Sequence, residues 1–195
     1  MFLLLKKERI IGFNCRYTFS NLGSIFIKMI IRILFIFIFS CMSFAYLGAE
    51  ESDKDISFYT GQFDITDDIG DDKTSLFGIE HRNPNLFRNT FLGKFAPVTG
   101  AFLTGKGAAY IYTGVEAQYS LGPVKFSPSF TPGYYEQGSG KDLGDVLEFK
   151  SEIKFGLDVS ENSKIGYSYS HISNNDWGTT NPGSDNQSIT FSKKF

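Results

Sequence analysis

The sequence predicts an all-β fold, an eight-stranded antiparallel transmembrane β-barrel of the kind found in bacterial outer membranes. Three observations support this prediction. A secretory signal lies near the N-terminus, residues 46–195 contain no apolar run long enough for a spanning helix, and apolar and polar residues alternate along that same region. An exported chain that enters a membrane without spanning helices must satisfy its backbone hydrogen bonds between strands, so its sheet has to close.

The predicted export signal begins at Met29, where the chain reads MIIRILFIFIFSCMSFA. Basic residues flank an apolar run over 33–39, and Ser43-Phe44-Ala45 forms a small-x-small cleavage site. We expect cleavage after Ala45, which leaves residues 46–195 as the β-barrel domain. Residues 1–28 form an extension that the signal does not need, so we expect Met29 to start translation or the extension to be removed with the signal.

Two other interpretations of this segment stay open. A transmembrane anchor is disfavoured because the apolar run is shorter than the roughly 20 residues that a spanning helix needs. A lipoprotein signal ending at Cys41 is disfavoured because bulky Phe39 fits that pattern poorly.

Charge and side-chain inventory exclude several classes of function. Residues 46–195 carry 13 Lys or Arg against 20 Asp or Glu, which disfavours nucleic acid as a partner. Cys15 and Cys41 both precede the mature region, so it has no disulfide and no cysteine-based metal site or nucleophile. With His81 and His171 as the two histidines, a three-histidine metal site cannot be built. We therefore expect no metal and no cofactor.

The alternation is clearest in the C-terminal half. Between 147 and 157, Leu, Phe and Ile alternate with Glu and Lys, which predicts one face towards lipid and one towards a polar lumen. The same pattern predicts strands over 56–66, 74–82, 86–95, 107–119, 124–135, 145–158, 164–173 and 186–195.

The connections between these strands alternate in length. Those at 83–85, 121–123 and 160–163 are short and resemble periplasmic turns, whereas those at 67–73, 96–106, 136–144 and 174–185 are long and resemble external loops. A soluble eight-stranded barrel with a ligand cavity is the alternative, but it should be polar outside and apolar inside. The charged face near residue 150 favours the membrane arrangement.

Three side chains near the C-terminus predict a hydrolytic site. His171 and Ser173 lie two residues apart and so project from one strand face, which by parity faces lipid. Asp185 opens the next strand with the parity of Ile189, so its carboxylate can reach His171. Acyl transfer needs such a set: Ser173 attacks, His171 takes the proton and Asp185 orients His171. The alternative is a rim histidine beside a small surface serine, since this spacing is common by chance.

The surrounding sequence resembles a known family. His171-Ile172-Ser173-Asn174, followed by Asn181-Pro182-Gly183 and Asp185, is similar to the lipid A 3-O-deacylase family of Gram-negative outer membranes. The resemblance covers residues 107–195 and includes four further segments, Gly122-Pro123, Gly133-Tyr134-Tyr135, Leu143-Gly144 and Leu147-Glu148-Phe149.

This resemblance implies a function and a location. It implies an outer-membrane barrel whose triad, here His171, Ser173 and Asp185, faces the outer leaflet and hydrolyses the ester at the 3 position of lipid A. Asn174 and Asn181 match asparagines beside the triad, where an amide donor can stabilise an oxyanion. The implied partners are lipid A and the lipids of the outer membrane, and homodimerisation stays open. The chain departs from the family pattern in carrying Asp185 where Glu is common, and Asn175 where a small residue is usual.

Two rival functions remain on sequence grounds. An outer-membrane phospholipase would use the same nucleophile on a glycerophospholipid. A non-enzymatic structural or adhesion barrel would carry the His-x-Ser spacing by chance.

Other polar or aromatic positions have simpler explanations. Asp67, Asp68, Asp71 and Asp72 crowd one loop, where divalent cations are conceivable but a solvated acidic loop is favoured. His81 is expected at the periplasmic rim, and Trp177 at the headgroup boundary as an interfacial anchor.

Overall fold

The computed structural model describes residues 54–66 and 72–195. The predicted extension and signal, residues 1–45, and most of the acidic loop lie outside these ranges and stay predictions. Within the described residues, no helix is long and apolar enough to cross a membrane. The strands are β1 (Asp55–Phe63), β2 (Thr74–Arg82), β3 (Arg88–Thr90), β4 (Gly93–Thr104), β5 (Ala109–Ala117), β6 (Tyr119–Leu121), β7 (Val124–Glu136), β8 (Leu147–Ser160), β9 (Ser163–Ser173) and β10 (Ser184–Lys194).

Eight of these strands form a closed antiparallel ring, so the predicted fold class is confirmed. Neighbours run in the order β2, β1, β10, β9, β8, β7, β5, β4, and pairing of β2 with β4 closes the circle. The two short strands are accessories: β3 forms a hairpin with β4, and β6 continues the line of β5 alongside β7. One end of the ring carries residues 64–66 and 72–73 and the connections 105–108, 137–146 and 174–183, and we call it the loop end.

The two faces of the ring have the polarity of a membrane barrel rather than a soluble one. Side chains that point outwards are largely apolar and exposed, whereas those that point inwards are buried and mostly polar. Glu148, Lys150, Glu152, Ser168 and Ser170 are buried inside, as their alternation predicts. The exposed outer residues include Phe58, Phe77, Ile111, Phe130, Ile153, Phe155, Ile165 and Ile189.

The predicted third strand over 86–95 is wrong. That segment is mostly a connection with the short β3, and the long strand is β4, which covers most of the predicted loop 96–106. The connection at the end away from the loops therefore runs from 83 to 92 rather than over the predicted 83–85.

Two residues that usually break strands explain this error. The carbonyl of Pro97 accepts a hydrogen bond from Asn83 N at 3.1 Å, so this edge of Pro97 faces the chain just beyond the end of β2. Proline lacks an N–H, but no β2 residue lies there to accept a hydrogen bond from one. Gly100 points into the lumen, where a Cβ would lie 2.5 Å from the hydroxyl of Tyr112. Pro97 therefore fits β4 because β2 has ended beside it, and Gly100 fits because the Tyr112 hydroxyl occupies the space of a side chain.

The lumen is filled in two layers. Towards the loop end lies a cluster of buried apolar and aromatic side chains: Phe63, Leu76, Phe102, Ala108, Tyr110, Tyr112, Tyr135, Leu143 and Ile172. Below it, Lys154 contacts three carboxylates, those of Glu80, Glu116 at 2.9 Å and Glu152 at 3.7 Å. Charges that would be costly alone are thus compensated inside the ring.

Candidate functional site

His171 and Asp185 meet on the outer wall of the barrel near its loop end. They are directly opposite each other in the pairing of β9 with β10, and alternation turns both outwards. His171 Nδ1 lies 2.8 Å from Asp185 Oδ1. This is the contact that the parity of the two strands predicts.

The second carboxylate oxygen of Asp185 also has a partner. Thr66 Oγ1, which follows β1, donates a hydrogen bond to Asp185 Oδ2 at 3.0 Å. The main chain adds a further link, because Ile65 N donates to the carbonyl of Asp185 at 2.8 Å. Sequence reasoning missed Thr66, which lies 119 residues from Asp185 in a connection without any motif.

Ser173 occupies the next outward position of β9 and is half-buried. Its cross-strand neighbour on β8 is Phe149. Among the described residues, Ser173 Oγ makes no hydrogen bond with the imidazole of His171. Catalytic hydrogen bonds are often long or poorly aligned without substrate and tighten when it binds. The structure thus brings the predicted three residues to one surface with the His–Asp contact formed.

Gly183 forms the floor under the imidazole. Its φ is +64°, and a Cβ there would lie 3.0 Å from His171 Cε1 and 3.4 Å from Nε2. A side chain would therefore press on the edge of the ring that carries the unbonded nitrogen. Glycine satisfies both the left-handed backbone and the close approach.

Asn174 holds two loops together. The residue is fully buried, and its Nδ2 donates to the carbonyls of Leu143 and Thr180, both at 2.7 Å. Its Oδ1 accepts from Gly178 N at 3.4 Å. Both amide hydrogens are thus used within the protein, which leaves this side chain no N–H for the oxyanion role that the sequence suggested.

Asn181 shapes the same loop from its exposed side. Its Oδ1 accepts from Asn174 N at 3.1 Å and its Nδ2 donates to Asp176 Oδ1 at 3.0 Å. Asn175 and Asp176 have φ values of 54° and 58°, a region that Asn and Asp tolerate better than most residues. The amide of Asn181 retains a second hydrogen that these bonds do not use.

The two sides of the site differ in polarity. Towards β8, Trp177 packs edge-on against Phe149, with ring centres 5.2 Å apart, and Phe149 stacks on Phe130 at 5.9 Å. On the other side lies an open cleft of about 320 Å³ lined by Thr66, Lys141, His171, Pro182, Gly183, Ser184 and Asp185. An ester with an apolar acyl chain and a polar head matches this division.

His81 lies far from His171, Ser173 and Asp185. His81 pairs with Ile56 and Thr99 at the end of the barrel opposite Ser173. No group of three or more His, Cys, Asp or Glu side chains among residues 54–66 and 72–195 is arranged to hold a metal ion.

Comparisons with known proteins identify a family and solved structures of similar fold. The model of the family described as lipid A 3-O-deacylase (PagL) matches residues 85–194. Among solved structures, the chain is similar to the crystal structure of the outer membrane enzyme PagL, with a TM-score of 0.56 and 16% identity over 71% of this chain and 98% of that one. It is also similar to a de novo designed transmembrane β-barrel, with a TM-score of 0.50 and 11% identity over 76% of this chain and 100% of that one. At these identities the structural likenesses show the fold alone. A comparison with curated proteins gave no match.

Proposed function

We propose that this chain, which belongs to the lipid A 3-O-deacylase family, is an outer-membrane serine esterase that removes the 3-hydroxyacyl chain from the 3 position of lipid A. The observation that carries the proposal is the 2.8 Å contact between His171 Nδ1 and Asp185 Oδ1 on the outer wall, with Ser173 at the next outward position of the same strand. This is the pairing of base and acid that activates a serine.

The contact supports Nε2 of His171 as the base. Asp185 accepts from Nδ1–H, so the neutral imidazole keeps its lone pair on Nε2. That nitrogen lies at the edge of the ring over Gly183, on the outer surface where substrate arrives. Asp185 also stabilises the imidazolium that forms when the proton is taken.

The reaction then proceeds in two balanced halves. Ser173 Oγ attacks the ester carbonyl while its proton passes to Nε2, and collapse of the tetrahedral intermediate expels the sugar 3-oxygen, which takes that proton. In the second half, water attacks the acyl-serine, His171 accepts a proton from the water and returns it to Ser173 Oγ. The products are the 3-hydroxy fatty acid and lipid A with a free 3-hydroxyl.

The position of the site suits a substrate that stays in the membrane. We propose that the loop end faces the cell exterior, which sets His171 and Ser173 at the depth of the outer-leaflet headgroups. Ionisable side chains on a lipid-facing wall are costly near the bilayer centre and tolerated near its surface. The substrate ester therefore needs no extraction from the bilayer.

The two asparagines take different roles in this proposal. Asn181 uses its second amide hydrogen to stabilise the oxyanion, which is the kind of donor that such intermediates require. Asn174 keeps the loops in place, because both of its amide hydrogens are donated to carbonyls.

The test is a pair of serine substitutions on one strand. Ser173→Ala should reduce release of 3-hydroxy fatty acid from lipid A by at least about a thousandfold. Ser163→Ala, at the opposite end of β9, should leave the rate unchanged. His171→Ala should match Ser173→Ala, and all variants should show the same heat-dependent gel mobility, because these side chains do not fill the core.

The same assay separates the rival functions. Phospholipid vesicles offered in place of lipid A would be hydrolysed by a phospholipase, and a structural barrel would release nothing from either. If folded Ser173→Ala protein works at the wild-type rate, Ser173 is not the nucleophile.

A further inference from the structure

We propose that Thr66 is a positioning residue of this site, which extends the His171–Asp185 pair by a third hydrogen-bonded member. The inference rests on the proposed function, because it assigns Thr66 a role in orienting the catalytic acid. It is carried by the bond from Thr66 Oγ1 to Asp185 Oδ2, 3.0 Å long, on the side of the carboxylate away from His171.

Besides the imidazole of His171, the hydroxyl of Tyr169 also interacts with the carboxylate of Asp185, and Thr66 is the partner bonded to Oδ2. The side chain is 23% exposed, so water competes for both oxygens, and the group can turn about its last torsion. With Oδ1 held by His171 and Oδ2 by Thr66, both ends of the carboxylate are fixed and its plane is set. The hydroxyl can donate only one hydrogen bond, and the carboxylate oxygen has no proton of its own, so the direction of the bond is unambiguous.

Thr66 can serve this purpose because the turn that carries it is anchored. The preceding Asp64 is fully buried with φ of 60°, and its main-chain N donates to Asn186 Oδ1 at 2.9 Å. Lys141 Nζ holds both carboxylate oxygens of Asp64, at 2.8 and 2.9 Å.

These anchors tie the turn to the strand that bears the acid. Ile65 N donates to the carbonyl of Asp185 itself, while Asn186 is the next residue of β10. The main chains of residues 64–66 and 185–186 therefore move together. An exposed hydroxyl at the end of such a turn is held close to the carboxylate, so little side-chain entropy is lost when the bond forms.

Loss of the Thr66 hydrogen bond is expected to change the orientation of Asp185 and therefore the rate of the chemical step. Asp185 positions the imidazole and stabilises its positive charge in the transition state, so a carboxylate that turns away weakens the reaction step. Thr66 also lines the open cleft beside His171, so the separate effects on kcat and KM distinguish loss of Asp185 orientation from loss of contacts to the substrate head. We expect its loss to lower kcat with little change in KM.

The experiment compares Thr66→Val, which keeps the shape and removes the hydroxyl, with Thr66→Ser, which keeps the hydroxyl. In the full-length protein in detergent with lipid A as substrate, Thr66→Val should lower kcat about tenfold, as expected for loss of a hydrogen bond to a charged group, with KM within twofold. Thr66→Ser should keep most of the activity. Thr60→Val, an outward threonine on β1, is the matched control and should behave as wild type.

A double-mutant cycle supplies the decisive measurement. In an Asp185→Ala background no carboxylate remains to be oriented, so Thr66→Val should cause no further loss. The inference is overturned if Thr66→Val equals wild type, if Thr66→Ser falls as far as Thr66→Val, or if the loss persists undiminished in the Asp185→Ala background. Failure of the wild-type protein to hydrolyse lipid A would instead overturn the proposed function, and the inference with it.

Discussion

Asp185 shows how one residue's chemistry depends on its strand register. A carboxylate on the short aspartate side chain reaches the imidazole at 2.8 Å because the two residues are direct partners in the β9–β10 pair. Directly opposed residues have Cβ atoms about 4.5–5.5 Å apart, which suits a short acid. A longer acidic side chain is therefore not required for this contact.

This geometry predicts the effect of two substitutions at Asp185. Asp185→Asn should lower kcat by about 10⁴, as the equivalent change does in a serine protease, because an amide can accept from His171 but cannot stabilise its charge. Asp185→Glu should retain more activity than Asp185→Asn, since it keeps the charge. Rates of fatty-acid release from lipid A measure both. Equal activities for wild type and Asp185→Asn would remove Asp185 from the mechanism.

A side chain at position 183 is expected to displace the imidazole of His171. Gly183→Ala should lower kcat at least about tenfold, because the added Cβ would lie 3.0 Å from His171 Cε1 and must push the ring aside. Gly107→Ala is the matched control: it has φ of +80° in another loop at the same end, with no atom within 4 Å of a Cβ. If both variants lose activity equally, backbone strain rather than contact with His171 is responsible.

The predicted catalytic residues and the unpredicted ones differ in the kind of information they need. Alternation on two adjacent strands predicts that His171, Ser173 and Asp185 share a face, and the resemblance to the deacylase family selects them among the outward polar residues. Thr66 joins them through the neighbouring β1–β10 pair, and Gly183 through a loop conformation. Neither leaves a periodic signal. The same is true of the buried amide of Asn174, whose partners are main-chain carbonyls of two separate loops.

At the level of strands, alternation predicted β1, β2 and the C-terminal strands to within a few residues, and it failed at β4. The failure is local and physical. Pro97 and Gly100 indicate a loop when only sequence is considered, yet one lies beyond the end of β2 and the other makes room for Tyr112 in the lumen. Whether a proline or glycine interrupts a strand depends on its neighbours across the sheet. A single sequence does not show which residues those neighbours are.

Ion pairs inside the barrel are expected to stabilise the fold more than a partly exposed ion pair does. Lys154→Met should lower the free energy of unfolding by about 3–5 kcal/mol, since it leaves the buried carboxylates of Glu80 and Glu116 without their shared cation. Lys125→Met, whose partner Asp158 lies 3.6 Å away and is partly exposed, should cost at most about 1 kcal/mol. Urea unfolding in detergent measures both, and equal losses would argue against a stabilising role for the inner cluster.

In the whole molecule, the contacts that stabilise the barrel and the proposed catalytic groups lie in different places. The ring is held by its continuous ladder and by the two layers inside it, whereas the proposed catalytic groups lie on the outer wall with their orienting contacts at the loop end. The loops there are joined by Asn174 and by the Asp64–Lys141 ion pair, and the proposed site lies beside them on the outer wall of the barrel. Substitutions on the outer wall can therefore change activity without opening the barrel.

The closed ring and its inverted polarity predict how the whole protein behaves in a membrane. Expressed as the full chain in a Gram-negative host, it should be recovered from the outer-membrane fraction only with detergent, because exposed residues such as Phe77, Ile111 and Ile189 would otherwise face water. Its mobility on a denaturing gel should change on boiling. Because the closed ring leaves no strand edge unpaired, we expect it to stay folded in detergent at room temperature and to unfold on boiling. The Ser173→Ala variant should show the same fractionation and the same shift, because it removes chemistry and leaves the ring intact. Recovery of the native protein as a soluble periplasmic species, or migration that does not depend on heating, would contradict the membrane barrel.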